Sequence, residues 1–347
     1  MKVLVLGNLG YIGPVVVDEL GSRHPDMEIV GFDTGLFKEC VVDPEHDFGA
    51  RLDHQIFGDV RDLTAELFSG VDAAIYLSAL SNDPIGNAFE ALTDEINAGS
   101  AVRAAEAAKA AGVKHFVFAS SCSVYGAGGE EAKTEESSLA PQTAYARSKI
   151  AAEKALASMA DDSFVITCLR FATACGFSPH LRLDLVLNDF VATALSHRKI
   201  DVLSDGRPWR PLIHVKDMAR AMEWALQRSS AQGGAFLAMN TGADTANYQI
   251  RDLAAAVARN LGDVAVAINE NASPDTRSYR VDFGLFRKLA PAHQPRMMLQ
   301  DMVGDLVGNL NRIGFKDPDF RSGNLIRLNY IKDLVAKGAL DGTLRWQ

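Results

Sequence analysis

The sequence predicts an α/β fold: a doubly wound parallel sheet with a smaller, mostly C-terminal α/β domain beside it. Through the first half of the chain, short apolar runs rich in Val, Ile and Ala alternate with segments of helical spacing. Such alternation is typical of strand–helix–strand units, in which helices cover both faces of parallel strands. A turn with three regularly spaced glycines follows the first apolar run, and an acidic residue ends the second. Both features are typical of sheets that bind dinucleotides.

The individual elements are predicted from apolar spacing and β-branched content. Strands are predicted at Lys2–Leu6, Glu28–Asp33, Gln55–Phe57, Ala73–Leu77, His115–Ala119 and Val165–Leu169, with helices at Tyr11–Leu20, Leu63–Phe68, Ala88–Ala111 and Ala144–Ala160. After Gly176 the alternation loosens. Helices are predicted there at Leu183–Leu195, Val215–Gln227, Gln249–Leu261 and Leu299–Ile313, and strands at Pro211–Val215 and Ala235–Asn240.

Composition and charge exclude several classes of protein. The 347 residues carry 35 basic and 44 acidic side chains, a net charge of −9, so the chain is poorly suited to bind nucleic acid or an anionic membrane. No apolar run approaches the roughly 18 residues of a membrane helix, and no secretory signal is visible. The four cysteines form no C-x-x-C pair, and no metal-ligand cluster is evident. We therefore expect an enzyme or binding protein of the reducing cytoplasm.

The glycine turn is the first candidate binding feature. Gly7, Gly10 and Gly13 lie between the first strand and the first helix, where the absence of side chains lets a pyrophosphate approach the backbone and the helix N-terminus. Asp33 ends the second strand, 20 residues after Gly13, and a carboxylate there can accept both ribose hydroxyls of NAD. No arginine follows it at once to hold an extra phosphate, so the sequence predicts NAD rather than NADP.

Asp59 follows the third strand and has two interpretations. Its carboxylate can reach the adenine amino group of the cofactor, or it can cap the helical segment that begins at Leu63. Asp62 lies nearer to that segment and suits the capping role better. Asp59 therefore stays a candidate cofactor contact.

Tyr145 and Lys149 lie four residues apart at the start of a predicted helix, so their side chains share one helical face. A free tyrosine has a pKa of about 10 and is a poor base at pH 7, but a neighbouring ammonium stabilises the phenolate. Lowering that pKa by about 3 units needs roughly 4 kcal/mol, which Lys149, the nicotinamide charge and a nearby hydroxyl can supply jointly. Ser121, at the end of the fifth predicted strand, offers that hydroxyl, because ligands bind beyond the carboxyl ends of parallel strands.

With these residues, the chain resembles the nucleotide-sugar epimerases and dehydratases of the extended short-chain dehydrogenase/reductase family. The likeness covers nearly the whole length and includes the glycine turn, Ser120–Gly126, the Tyr145/Lys149 pair, Leu169–Phe171 and Trp209–Asp217. The resemblance implies a Rossmann domain of residues 1–180 and about 211–245 that binds NAD. Residues from about 181–210 and 246–347 would form the substrate-binding domain. Ser121, Tyr145 and Lys149 match the family's catalytic triad.

The resemblance also implies which residues contact each ligand. Cofactor contacts are expected at Gly7, Gly10, Tyr11, Ile12, Gly13, Asp33, Asp59, Val60, Leu77, Ser78, Ala79, Tyr145 and Lys149. Substrate contacts are expected at Ser81, Asn82, Ser123, Thr173, Asn188, Arg210 and Arg277. The two arginines suit a nucleotide-diphosphate sugar, because the guanidinium fork binds phosphate bidentately. Relatives often form homodimers through two long helices, here Glu90–Ala111 and Ala144–Ala160.

Some positions depart from the family pattern. The Asp-Glu pair that marks 4,6-dehydratases falls at Cys122 and Ser123, and neither can serve as that acid and base. Cys122 has two interpretations: its thiol can carry a proton, since cysteine titrates at about 8.5, or it is a small buried packing residue. Thr173 stands where the family has asparagine, so the contact made there differs.

These features favour an NAD-dependent nucleotide-sugar 4-epimerase that acts through a 4-keto intermediate, with Tyr145 as the base. Two alternatives stay open: a 4-ketoreductase or dehydratase of the same family, and a dinucleotide-binding regulator without turnover. The complete set of Ser121, Tyr145 and Lys149 argues against the regulator.

Overall fold

The computed structural model describes residues 1–47, 50–126, 129, 131–272 and 278–347. Its strands are β1 Lys2–Leu6, β2 Glu28–Asp33, β3 His54–Phe57, β4 Ala73–Tyr76, β5 His115–Ser121, β6 Val165–Phe171, β7 Thr173–Cys175, β8 Lys199–Val202, β9 Trp209–His214, β10 Phe236–Thr241, β11 Asn247–Gln249 and β12 Ala265–Ile268. Its α-helices are α1 Gly13–Arg23, α2 Asp83–Ala88, α3 Glu90–Asp94, α4 Ser100–Ala110, α5 Ala144–Ala157, α6 Val186–His197, α7 Val215–Ala225, α8 Ile250–Leu261, α9 Gly284–Leu289, α10 Leu299–Arg312 and α11 Arg327–Ala336.

Seven parallel strands form the central sheet, in the order β10-β6-β5-β4-β1-β2-β3. Val5 of β1 lies in register with Gly31 of β2 on one side and Ile75 of β4 on the other. The chain runs outward from β1 toward one edge and from β4 toward the other, so the loops after these two strands diverge and leave a crevice at their carboxyl ends. The predicted doubly wound α/β fold is confirmed.

Both faces of the sheet are buried, which explains why its strands are almost continuously apolar. Val3 and Val5 of β1 point into a large cluster that also contains residues of α1 and α7. Leu4 and Leu6 point to the opposite face, where the small side chains of α4 pack closely against the sheet. Side chains that alternate along a strand thus supply two separate cores.

The helix predicted at Ala88–Ala111 is interrupted by a π-helical turn at Glu95–Gly99, which separates α3 from α4. Asn97, within this turn, is fully buried, and its side-chain amide bonds the backbone N–H and carbonyl of Leu80 and the hydroxyl of Ser148. Such turns are frequent at functional sites. Apolar spacing could not show the interruption, because the groups that bind Asn97 lie outside the helix.

Short elements account for the other differences from the prediction. The segment predicted as a helix at Leu63–Phe68 instead forms 3-10 turns at Val60–Asp62 and Ala65–Phe68. Strands of three to six residues build two small sheets, β11-β9-β7 and β12-β8. Apart from β9, these strands were not predicted, because periodicity carries little information over so short a run.

Residues 325–347, which we call the C-terminal segment, pack against the loops at the carboxyl end of the central sheet. Two hydrogen bonds fix it there: Arg61 Nη1 donates to the Thr343 carbonyl (2.7 Å), and Trp346 Nε1 donates to the Thr34 carbonyl (2.8 Å). An apolar cluster lies underneath and joins Leu80 and Ile85 to Ile331, Leu340 and Leu344. The C-terminal segment therefore borders the crevice.

Within the described ranges, no helix combines the length and apolarity needed to cross a membrane. The same residues contain no group of three or more His, Cys, Asp or Glu side chains placed to hold a metal ion. All four cysteines are buried, and none forms a disulfide.

Candidate active site

A cavity of about 1090 Å³ opens at the carboxyl ends of β1, β2, β4 and β5 and extends toward β9 and α6. Candidate residues from both halves of the chain line it, among them Asp33 and Ser121 from the central sheet and Thr173 and Arg210 from the smaller one. Its volume lies at the top of the roughly 300–1,000 Å³ range of drug-sized ligands, as expected for a site that two ligands share.

Gly10 of the glycine turn lines this cavity, and the other two glycines let the turn pack closely against its backbone neighbours. Gly7 has φ +91°, and a Cβ there would lie 2.6 Å from the Ser78 backbone nitrogen. A Cβ at Gly13 would lie 2.2 Å from the Asn8 carbonyl oxygen. No side chain caps the N-terminus of α1, which leaves its amide dipoles available to an anion. The turn thus fits a dinucleotide pyrophosphate.

Asp33 lies beside the turn at the end of β2 and lines the cavity. Its carboxylate accepts hydrogen bonds from the backbone N–H of Leu9 (3.0 Å) and of Gly35 (2.8 Å). Burial raises the pKa of Asp33, and these two hydrogen bonds partly offset the effect. The carboxylate is held at the position where the sequence predicts the ribose contact.

Asp59 and Val60 also line the cavity, but the capping role falls differently from the prediction. Asp59 caps the turn at Val60–Asp62 by accepting from the Arg61 backbone N–H (2.9 Å), and both of its oxygens also receive the Arg61 guanidinium. Asp62, predicted as the better cap, instead pairs with Arg345 of the C-terminal segment. The Asp59 carboxylate is therefore a fixed part of the wall as well as a candidate contact.

The other predicted cofactor residues outside the triad lie along the same cavity. Ile12, Leu77, Ser78 and Ala79 line it, as do Gly10 and Tyr11. The Tyr11 hydroxyl donates to the Gly176 carbonyl (2.6 Å) and accepts from the Asn188 amide (3.1 Å). The phenol oxygen of Tyr11 thus joins the glycine turn to Gly176 and to helix α6.

Ser121, Tyr145 and Lys149 come together at one point of the cavity. Ser121 ends β5, and Tyr145 and Lys149 lie one turn apart on α5. The Ser121 hydroxyl lies close enough to the Tyr145 phenol to lower its pKa. Lys149 Nζ donates to the Ala119 carbonyl (2.7 Å) and lies 5.5 Å from the centroid of the Tyr145 ring. The predicted neighbours are thus brought into contact.

Burial dominates the ionisation of these groups. It lowers the pKa of Lys149 to about 7 and raises the pKa of Tyr145, which the nearby Ser121 hydroxyl partly offsets. The prediction assigns the lowering of the Tyr145 pKa jointly to Lys149, a nearby hydroxyl and the nicotinamide charge, and the last of these comes only with the cofactor. A positively charged nicotinamide ring beside the phenol acts in the required direction.

Cys122 does not line the cavity, and the structure contradicts its proton-carrying interpretation. The side chain is fully buried, and its thiol donates to the Arg170 carbonyl (3.0 Å). Burial raises the pKa of the thiol far above its ordinary value. Cys122 is a packing residue.

Ser81 and Asn82 line the cavity, and both are hydrogen-bonded to an ion pair, Arg182 with Asp184, that the sequence did not predict. Arg182 is bound by Asp184 and donates to the Ser81 hydroxyl (2.7 Å), while Asn82 Nδ2 donates to Asp184 (2.6 Å). The Asn82 backbone has φ +133° and ψ 164°, a region almost reserved for glycine that costs about 1–3 kcal/mol. Strain of this kind clusters at functional sites.

Ser123, Thr173 and Arg210 line the part of the cavity away from the glycine turn. Thr173 lies in β7 and pairs with Leu212 of β9. Leu212 is two residues after Arg210 in the same strand. The Ser123 hydroxyl is buried and has no hydrogen-bond partner in the part of the chain that the structure describes. A ligand hydroxyl can supply that missing partner.

Of two further predicted substrate residues, one lies away from the cavity and the other lies outside the described residues. Asn188 is fully buried and does not line the cavity, because its amide bonds the Gly176 N–H (3.1 Å), the Tyr11 hydroxyl and the Arg182 carbonyl (2.9 Å). The predicted role of Asn188 as a substrate-binding amide is therefore wrong. Arg277 lies outside the described residues.

Sequence reasoning missed several cavity residues, among them the buried polar side chains of Arg182, Tyr279 and Arg327. The Arg182-Leu183-Asp184 spacing is the one local signal, since it places an acid and a base on one side of an extended strand. Arg327 lies in no recognisable motif.

Comparison with known proteins adds the family. Residues 3–239 match the model of the NAD dependent epimerase/dehydratase family. The UDP-glucose 4-epimerase of Corynebacterium glutamicum is 29% identical over 254 residues, which cover 67% of this chain and 72% of that protein.

Solved structures share the fold along most of the chain. MoeE5 in complex with UDP-glucose and NAD has a TM-score of 0.76 and 23% identity, covering 90% of this chain and 99% of its own. The UDP-glucose 4-epimerase of Bifidobacterium longum in complex with NAD+ and UDP has a TM-score of 0.73 and 22% identity, covering 90% of this chain and 98% of its own.

A glycine turn, a fixed carboxylate after β2 and a Ser-Tyr-Lys group face one cavity, and the family match spans the residues that build all three. The chain is an NAD-dependent enzyme and belongs to the NAD dependent epimerase/dehydratase family.

Proposed function

We propose that this enzyme inverts C4 of a nucleotide-diphosphate sugar through a transient 4-keto intermediate. The observation that carries the proposal is that Ser121, Tyr145 and Lys149 line a single cavity together with the glycine turn and Arg210. One part has the glycine turn and Asp33 as its walls, and the other has Thr173 and Arg210.

Tyr145 is the proton carrier in this mechanism. As a phenolate it takes the proton from the sugar O4 when C4 is oxidised, and as a phenol it returns the proton when C4 is reduced. When bound, NAD would supply the acceptor for the C4 hydride and its donor to the opposite face, so that no net oxidation occurs. Ser121 lines the cavity beside Tyr145, so its hydroxyl can donate a hydrogen bond to the same O4.

Lys149 has a positioning and electrostatic role. Its ammonium is fixed by the Ala119 carbonyl and lies 4.6 Å from the centroid of the Phe118 ring. A positive charge held this close favours the phenolate of Tyr145 and can donate to the ribose of the nicotinamide half of NAD.

The substrate is oriented by the groups of the second part of the cavity. Arg210 Nη1 donates to the Trp209 carbonyl (2.8 Å), and the planar fork of a guanidinium suits a diphosphate. The unpartnered Ser123 hydroxyl suits a sugar hydroxyl near the reacting carbon. Leu203, 84% exposed although apolar, lines the same part and suits the face of a nucleotide base.

The main alternatives are a dehydratase and a 4-ketoreductase of the same family. Elimination needs an additional acid and base beside the sugar, and the buried Cys122 thiol does not provide one. A ketoreductase would consume one reduced cofactor for each product, whereas an epimerase keeps its cofactor.

The test incubates the purified enzyme with a panel of nucleotide sugars in D2O. We expect inversion at C4 by NMR, no incorporation of solvent deuterium at carbon, and no net change in the absorbance of reduced NAD. Deuterium at C3 or C5 would indicate elimination or epimerisation at those carbons. Stoichiometric loss of reduced NAD would indicate a ketoreductase, and the 4-epimerase proposal fails if no sugar is inverted at C4.

We also infer the division of labour and the assembly. Residues 1–180 and about 211–245 carry the NAD site, and the remaining residues carry most of the substrate site. Two copies pair through α3, α4 and α5, whose outward faces combine small residues with the Arg147–Glu90 ion pair. Light scattering that gives a monomer mass at micromolar concentration would contradict the dimer.

A further inference from the structure

Arg327, the first residue of α11, is a buried cation without a matching anion. It is 2% exposed, its Nη2 donates to the His180 carbonyl (2.8 Å), and its guanidinium stacks 4.5 Å from the centroid of the Phe37 ring. The Nη1 atom is buried without a hydrogen-bond partner, and no described carboxylate forms an ion pair with Arg327. Burial lowers the pKa of Arg327 to about 10, so the side chain stays charged at pH 7.

Such an arrangement is costly unless a ligand completes it. An unpaired buried charge loses its hydration without an equivalent gain, and a buried donor without an acceptor adds to the cost. Arg182 provides the contrast in the same wall, since Asp184 neutralises it at 2.9 Å. Because Arg327 lines the cavity, the missing acceptor is expected inside the cavity.

The surroundings of Arg327 place it across from the glycine turn. His180, whose carbonyl receives the guanidinium, contacts the Leu9 carbonyl of that turn through its Nδ1 atom (2.6 Å). Phe37 lies in the loop that follows Asp33. The guanidinium thus stands between the turn that fits a pyrophosphate and the loop that follows the predicted ribose contact.

We propose that Arg327 binds the pyrophosphate of NAD from the side opposite the glycine turn, so that the C-terminal segment is part of the cofactor site. Leu344 of the same segment lines the cavity, as does Asp59, the candidate contact to the adenine amino group. This inference rests on the NAD site of the proposed function and not on its sugar chemistry. A failure to find 4-epimerisation would leave it standing, because its test measures binding.

The substrate also carries a diphosphate, so the experiment must distinguish the two sources. Arg327→Gln removes the charge, and Lys332→Gln is the matched control, an exposed loss of the same charge on the same helix. Arg210→Gln serves as the reciprocal variant. For each protein, calorimetry gives the Kd of NAD+, ADP-ribose, adenosine and UDP, and a thermal melt without ligand checks folding.

We expect Arg327→Gln to weaken NAD+ and ADP-ribose by roughly 10- to 100-fold, the usual range for a lost charge-assisted hydrogen bond, with adenosine and UDP within twofold of the parent. Lys332→Gln should change none of the four, and Arg210→Gln should weaken UDP alone. The proposal is overturned if Arg327→Gln leaves NAD+ unchanged, weakens adenosine as much as NAD+, or weakens UDP instead.

A conservative variant keeps the test decisive if glutamine prevents folding. Arg327→Lys retains the charge but loses the planar fork, so it should fold and weaken NAD+ by an intermediate factor without affecting adenosine. Parental affinity for NAD+ in a folded Arg327→Lys protein, beside an unfolded glutamine variant, would show that Arg327 only supports the fold, and would overturn the proposal.

Discussion

Helix α5 carries two buried charged residues one turn apart, Lys149 and Glu153, and they differ in whether an opposite charge lies beside them. At the second, Glu153 receives the Arg170 guanidinium on both carboxylate oxygens (3.0 and 2.7 Å) and the Ser120 hydroxyl. Arg170 continues to the Tyr125 hydroxyl (3.1 Å). At the first, the Lys149 ammonium has the Ala119 carbonyl as its hydrogen-bond partner and no ion pair to a described carboxylate.

The difference shows how one helix separates structure from chemistry. Burial imposes a similar cost on both groups, but the Glu153 network offsets it with internal partners, which makes that network rigid and specific. At the Tyr145/Lys149 end, the buried charge has no counterion among the described residues, so only a bound ligand can stabilise it. The same contrast separates Arg182 from Arg327 across the cavity.

The largest expected effect is on kcat, and it distinguishes the Tyr145/Lys149 end of α5 from the Glu153 end. Tyr145→Phe should lower kcat by about 10³-fold or more, because it removes the proton carrier, while the affinity for NAD+ stays within twofold. Tyr125→Phe is the matched control, since it removes a phenol oxygen from the Glu153 network (Tyr125 donates to Asn240 at 2.6 Å). The control should lose stability and keep most of its kcat. Equal losses of kcat in the two variants would erase the distinction.

A second prediction concerns stability at the compensated end. Glu153→Gln leaves the Arg170 charge buried without its partner, so the free energy of unfolding should fall by about 3–5 kcal/mol in urea denaturation. Glu106→Gln, an exposed acid on α4, should change it by no more than about 0.5 kcal/mol. A Glu153→Gln protein as stable as the parent would show that the network is dispensable.

The pH dependence of stability gives a smaller and more specific signal. The pKa of Lys149 falls from 10.5 to about 7 on folding, so between these values the unfolded chain binds more protons than the folded one. The contribution of Lys149 to the free energy of unfolding is therefore most unfavourable below about pH 7, and this destabilisation diminishes as the pH approaches 10.5.

Lys149→Met removes that contribution. Without ligand, the free energy of unfolding of the parent minus that of Lys149→Met should increase steadily from pH 7 to pH 10 in paired denaturation curves. A difference that stays constant over this range would indicate that Lys149 keeps an ordinary pKa and that burial does not disfavour its charge.

The smallest effect is expected next to the triad. Cys122→Ser keeps a donor for the Arg170 carbonyl and removes a thiol whose pKa is far above neutrality, so kcat/KM should stay within about twofold from pH 6 to 9. A pH profile that loses a limb in this variant would return Cys122 to the chemistry.

Much of this site could be predicted because its sequence signals are local. Gly7, Asp33 and Tyr145 each have a requirement set by neighbours within a few residues: a backbone approach, a strand end or a shared helical face. The prediction for Asn188 failed for the opposite reason. Its hydrogen-bond partners include Gly176 and Tyr11, which are not its sequence neighbours, and they satisfy the amide inside the protein. Arg327 could not be found at all, because only the fold shows that its cation is unpaired.

The C-terminal segment also affects how the protein is made. Its hydrogen bonds to Arg61 and Thr34 close sequence separations of 282 and 312 residues. On the ribosome, β1 to β6 can assemble after about half of the chain, since domains fold from the N-terminus during synthesis. Leu80 and Ile85, however, must wait for Leu340 and Leu344 before they are covered. A nascent chain therefore carries this apolar surface through most of its synthesis, a period when chaperones can recognise it.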